Sequence, residues 1–116
     1  MSTEPPLNFN SGWDNPATAL LNAKPTAEQK LGFLRTLPHS ELVALPAVDS
    51  IELTGYDRVV TLTTYRDLLQ GNEVRIVVQL LVPGVLGSVR IFAAGFRAAV
   101  DENRVELTSE ELYDFK

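Results

Sequence analysis

An α+β fold is predicted for this chain: short N-terminal helices packed on one face of a three- to four-stranded antiparallel β-meander. Two observations carry that prediction. Residues 14 to about 47 place apolar side chains at helical spacing between prolines. Residues 50 to about 107 are dense in Val, Ile, Thr, Tyr and Phe, with turn residues at regular intervals. The helical zone precedes the strand zone instead of alternating with it, which points to an antiparallel sheet with segregated helices. The 116 residues suit one domain. Residues 14–116 are read as that domain. Residues 1–13 are read as an extended or flexible arm, in which Leu7, Phe9 and Trp13 are the apolar positions.

Within the helical zone, Asn15-Pro16 suits an N-cap followed by a proline in the first turn. Ala17 to Asn22 then forms about two turns, and Lys24-Pro25 is expected to end them. Thr26 and Gln29 read as a capping box in front of a second helix carrying Leu31, Leu34 and Leu37, with Phe33 beside them. Pro38 stops that helix, and Ser40 to Leu45 is a further short one between Pro38 and Pro46.

In the strand zone, Gln70-Gly71-Asn72 reads as a hairpin loop with Asn72 in the left-handed conformation. That loop sets Leu69 against Glu73, Leu68 against Val74, Leu62 against Leu80 and Val60 against Val82. Asp67 meets Arg75 as an opposite-charge pair. One sheet face then carries Val60, Leu62, Val74, Ile76, Val78, Leu80 and Val82, with Arg66 as the exception. A third strand runs from about Val89 to Val100 and turns at Asp101-Glu102-Asn103 into Arg104 to Leu107. Thr108 or Ser109 caps a short acidic C-terminal turn. This order of helices and meander resembles the cystatin-like and NTF2-like cones in layout, without a family motif.

The second sheet face holds the functional signal. It would carry Val59, Tyr65, Val77 and Leu81 among Thr61, Thr63 and Gln79, and Ile91 to Phe96 is apolar on both sides. A solvated face should be polar at alternate positions. The helices suffice to cover one face only, so the termini, a ligand, a partner protein or a second copy must cover the other. A homodimer is the expected solution. The interaction residues expected on this account are Val77, Leu81, Tyr65, Arg75 and Arg97 on the sheet. Val85 and Leu86 join them from the Gly84–Gly87 loop, and Trp13 from the arm.

Charge and composition narrow the remaining classes. Fifteen acids against ten Lys and Arg leave a net charge of −5, which disfavours nucleic acid and anionic membrane surfaces as partners. No stretch approaches the roughly 20 apolar residues of a membrane helix. The start of the chain lacks the basic and apolar regions of a signal peptide, so a cytoplasmic location is expected. Without cysteine there is no disulfide, thiol nucleophile or Cys-ligated metal, and no cofactor motif is present. His39, the one histidine, lacks partners in the pattern for a metal or a catalytic base and reads as a surface or helix-start residue. Gly84-Val85-Leu86-Gly87 matches G-x-x-G but joins strands and carries no base, which argues against an RNA-binding role.

A small non-catalytic interaction module is therefore the leading expectation. A ligand-binding cone or simple enzyme, with Tyr65, Thr63, Gln79, Arg75 and Arg97 as polar groups, is the first alternative. An acidic inhibitor of immunity type is the second.

Overall fold

A computed structural model describes residues 16–53, 58–84 and 87–114. The expected arm at residues 1–13, with Trp13, and the loop residues Val85 and Leu86 lie outside the described residues. The fold is α+β, as predicted. Helix α1 (Pro16–Arg35) and the short helix α2 (His39–Val43) come first. Strands β1 (Val48–Leu53), β2 (Val60–Leu68), β3 (Val74–Pro83), β4 (Val89–Ala98) and β5 (Arg104–Glu106) follow, and helix α3 (Ser109–Asp114) comes last. The five strands form one antiparallel sheet in the order β1-β2-β3-β4-β5. That is one strand more than the sequence predicts.

Helix α1 corrects the expectation of a break at Lys24-Pro25. It is a single helix of 20 residues with Pro25 inside it, so Thr26 and Gln29 do not cap a separate helix. The reason lies in which side of the helix the proline occupies. Ala19, Ala23, Ala27, Leu31 and Leu34 form the buried stripe, while Leu21 and Pro25 are exposed. Proline removes the hydrogen bond to the carbonyl four residues back. Here that carbonyl belongs to Leu21, on the solvent side, where water can replace the donor. The stripe is alanine in its first half, so the helix can approach the sheet closely, and leucine in its second half. It packs chiefly on β3 and β4.

The β2–β3 hairpin has the predicted register. Leu68 pairs with Val74, Asp67 with Arg75 and Leu62 with Leu80, and the Leu69 N–H donates to the Glu73 carbonyl. Gly71 and Asn72 both have positive φ, at 72° and 62°. The face read as core is core: Val60, Leu62, Val74, Ile76, Val78, Leu80 and Val82 are all buried. Arg66, the exception on that face, has a partner. Its Nε donates to the Leu45 carbonyl at 2.9 Å, just beyond the C-terminal end of α2.

Two turns clasp the start of α2. His39 Nε2 donates to the Asn72 carbonyl at 2.6 Å. The His39 backbone N–H donates to the Glu102 carboxylate at 3.0 Å, and Glu102 itself sits at a positive φ of 71°. Arg104 ties the same region to the helix connection by donating to the Leu37 carbonyl. Arg35, at the end of α1, forms an ion pair with Glu106 on β5. His39 is thus a helix-start residue, as its sequence context predicts.

Strand β1 is the unpredicted element. Among the described residues it pairs only with β2, and every residue from Val48 to Glu52 is exposed. Asp49 and Glu52 interrupt the alternation that marks a half-buried strand.

Two substitutions test this packing. Pro25→Ala should raise stability by about 1–3 kcal/mol, because it restores a helix-interior hydrogen bond. Gly95→Ala should lower it by about 1–3 kcal/mol or more. A Cβ at Gly95 would overlap the Ile76 carbonyl oxygen and meet Leu107 Cδ1 at 2.9 Å and Val77 Cα at 3.0 Å. Urea denaturation measures both. A neutral Gly95→Ala would contradict the close approach of β3 and Leu107 at this point.

Candidate interaction face

The registers of the four strand pairs place the second face row by row. Across β1 to β4 one row reads Val48, Tyr65, Val77 and Gly95. The next reads Ser50, Thr63, Gln79 and Ala93, and the third Glu52, Thr61, Leu81 and Ile91. Beyond it Pro83 pairs with Val89. In the opposite direction lies the row Asp67, Arg75, Arg97 and Val105. Tyr65, Arg75, Val77, Leu81 and Arg97, singled out from the sequence, therefore all share this face.

The face has three parts with different chemistry. At one end Arg75 and Arg97 stand opposite each other, a like-charge pair that would be unfavourable alone. Three carboxylates surround it. Asp67 pairs with Arg75 at 2.5 Å, while Glu111 and Glu73 lie 3.4 Å and 3.9 Å from Arg97. The two guanidinium groups are balanced from within the chain, which argues against an anion-gripping site here.

Helix α3 covers this charged end. Thr108 and Glu111 make a capping box: the Thr108 N–H donates to Glu111 Oε1 at 3.1 Å, and the Glu111 N–H donates to Thr108 Oγ1 at 3.2 Å. The Thr108 backbone bond holds the Glu111 carboxyl below the ordinary glutamate pKa against an opposing desolvation, with Arg97 and the Thr108 hydroxyl assisting. Leu107 extends the β5 ladder by donating to the Gly95 carbonyl, and its side chain reaches the space that Gly95 leaves open.

The middle of the face is polar and closely packed. Ser50 and Thr63 hydroxyls lie 2.9 Å apart, Tyr65 Oη donates to Gln79 Oε1 at 3.4 Å, and Thr63, Gln79 and Val77 are buried. Val77, at 1% exposure, is thus a packing residue of the chain itself. Leu81 is half-buried.

The far end is apolar and open. Leu81, Pro83, Val89 and Ile91 adjoin one another there. Val89 is 47% exposed and Ile91 44%. Arg58 marks the rim, its Nη1 donating to the Pro83 carbonyl at 3.1 Å. Sequence reasoning missed Val89 and Ile91 as contact residues, because the run from Ile91 to Phe96 reads as buried on both faces. Its first residue is instead open, and burial increases towards Ala98.

A cleft of about 330 Å³ lies elsewhere, lined by His39, Val43, Leu68, Leu69, Asn72 and Val100. None of Tyr65, Thr63, Gln79, Arg75 or Arg97 lines it. Among the described residues no group of three or more His, Asp or Glu side chains is placed to hold a metal ion, and no described helix is long and apolar enough to cross a membrane.

The Glu111 environment sets a pH dependence. Its pKa is depressed in the folded state, so the capping box stabilises the fold at neutral pH. That contribution is lost as pH falls through the ordinary glutamate value of about 4.3 and below. Between about pH 6 and pH 3 the wild type should lose more stability than Glu111→Gln. Parallel losses in denaturant titrations would show that the box contributes nothing.

No protein-family model, curated protein or solved structure matches the chain.

Proposed function

We propose that the protein is a small non-catalytic interaction module that self-associates through the apolar end of its open sheet face. One observation carries the reading. Val89 and Ile91 are exposed on a rigid sheet beside Leu81 and Pro83, and these four side chains include no charge. Exposed apolar surface next to ordered polar surface is characteristic of a docking site. Rigid strands also hold such a patch with little further loss of conformational freedom on binding.

The cleft beside His39 supports a ligand site less well. Its histidine ring is already bonded to the Asn72 carbonyl, and Leu68, Val43, Leu69 and Val100 make its remaining walls largely aliphatic. The charged end of the face supports an acidic or anionic partner less well again, since its arginines are balanced within the chain.

Sedimentation equilibrium over a range of concentrations tests the reading. The wild type should pass from monomer to dimer as concentration rises. Ile91→Lys should remain monomeric with an unchanged circular dichroism spectrum, because the position is nearly half exposed and tolerates a charge without unfolding. Val77→Lys should instead unfold the domain, since it buries an unpaired charge. A wild type that stays monomeric, or an Ile91→Lys variant that associates equally well, would overturn the reading.

A further inference from the structure

The geometry points to a specific contact: the N-terminal half of β4 pairs antiparallel with the same segment of a second copy, about a two-fold axis at Ile91. This rests on the self-association reading above and narrows it from a face to a strand edge.

The argument begins with where the backbone groups point. In an antiparallel ladder, alternate residues direct both N–H and C=O to the same neighbour. The Leu107 N–H bonds to the Gly95 carbonyl, and the Ala99 N–H to the Asn103 carbonyl. The odd-numbered residues of β4 thus face outward, away from β3. β5 pairs only with Phe96, Arg97 and Ala98. Among the described residues, no strand lies beside the stretch from Val89 to Ala93. The outward groups of Val89, Ile91 and Ala93 therefore form a free edge, beside side chains that are exposed at Val89, Arg90 and Ile91.

That edge is complementary to itself. A two-fold at Ile91 sets Ile91 against Ile91 of the second copy and Val89 against its Ala93. These are the residues whose N–H and C=O groups point outward, so the pairing closes about six backbone hydrogen bonds. On the open face it brings only aliphatic side chains together. On the helix side it sets Arg90 against Phe92 of the second copy, beside a ring that Lys24 Nζ already overlies at 5.0 Å. No two like charges stand directly opposite.

The other edge lacks this property. The Arg66 N–H donates to the Ala47 carbonyl, so by the same alternation Val48, Ser50 and Glu52 face outward on β1. A two-fold pairing centred on Ser50 would set Glu52 against Val48 and Asp49 against Ile51. It would also gather the carboxylates of both copies into one short ladder. Charged side chains of this kind protect natural sheet edges from pairing. Of the two long exposed edge segments, β1 carries two acids that a two-fold would gather together, whereas the first half of β4 carries one charge, Arg90, which the two-fold sets against Phe92 and not against its own copy.

The chain has no cysteine, so Ile91→Cys introduces a unique thiol. Hydrogen-bonded antiparallel partners have Cα atoms about 5.5 Å apart, within the range a disulfide spans. With oxidised glutathione as oxidant, the full-length Ile91→Cys chain should convert to a covalent species of twice the mass. Val105→Cys, exposed on the same face but beside Arg97, should not. If the wild type forms a dimer by sedimentation and Ile91→Cys does not cross-link, the strand pairing is overturned while the self-association reading stands. If the wild type is monomeric throughout, both fall. Cross-linking of both variants at equal rate reflects random collision and overturns the pairing as well.

Discussion

The width of the sheet, set against the width of the helix that covers it, governs this structure. Five strands at about 4.8 Å apart span roughly 19 Å between the outermost axes, whereas one helix with its side chains is about 10–12 Å across. Helix α1 can therefore cover two strands well, and it lies on β3 and β4. Its alanines at 19, 23 and 27 bring it close to the sheet, while Leu31, Leu34 and the buried Leu42 of α2 fill the end near the hairpin. β1 receives no comparable cover and keeps Ile51 exposed even on the helix side. Among the described residues, the opposite face has only α3, which is short and reaches just the charged end.

This uneven coverage divides the work among chemically different solutions. Where α3 reaches, carboxylates balance a pair of arginines and a capping box anchors the helix. Across the middle of the face, hydroxyl and amide groups satisfy each other and small side chains pack closely. At β1 the exposed edge carries acids. Among the described residues, only the first half of β4 combines an apolar open face with outward backbone groups, its one charge, Arg90, lying on the helix side, because β5 ends after three residues. A second copy would supply what β5 is too short to provide.

Much of this was legible in the sequence, for identifiable reasons. The β2–β3 register followed from one tight turn and from an alternation that placed Val60, Leu62, Val74, Ile76, Val78, Leu80 and Val82 on a single face. The same period of two put Tyr65, Arg75, Val77, Leu81 and Arg97 together on the other. Pro25 was misleading because proline signals a break only when the lost hydrogen bond matters, and that depends on which side of the helix faces water. β1 was illegible because an edge strand exposed on both sides has no hydrophobic period. The open half of β4 was hidden for a different reason. Its composition is that of a buried strand, and its exposure depends on where β5 stops, a matter of chain geometry rather than local pattern.

The central claim is that the edge of β4 is completed by another molecule of the same chain. Hydrogen exchange at the Val89, Ile91 and Ala93 amides, followed at low and high protein concentration, tests it most directly. Slow exchange at high concentration that becomes fast on dilution is the expected result, with the Val78 and Leu80 amides of the central strand unchanged. Exchange that is fast at both concentrations would contradict the claim. So would protection that does not depend on concentration, which would assign the edge to a segment of the same chain.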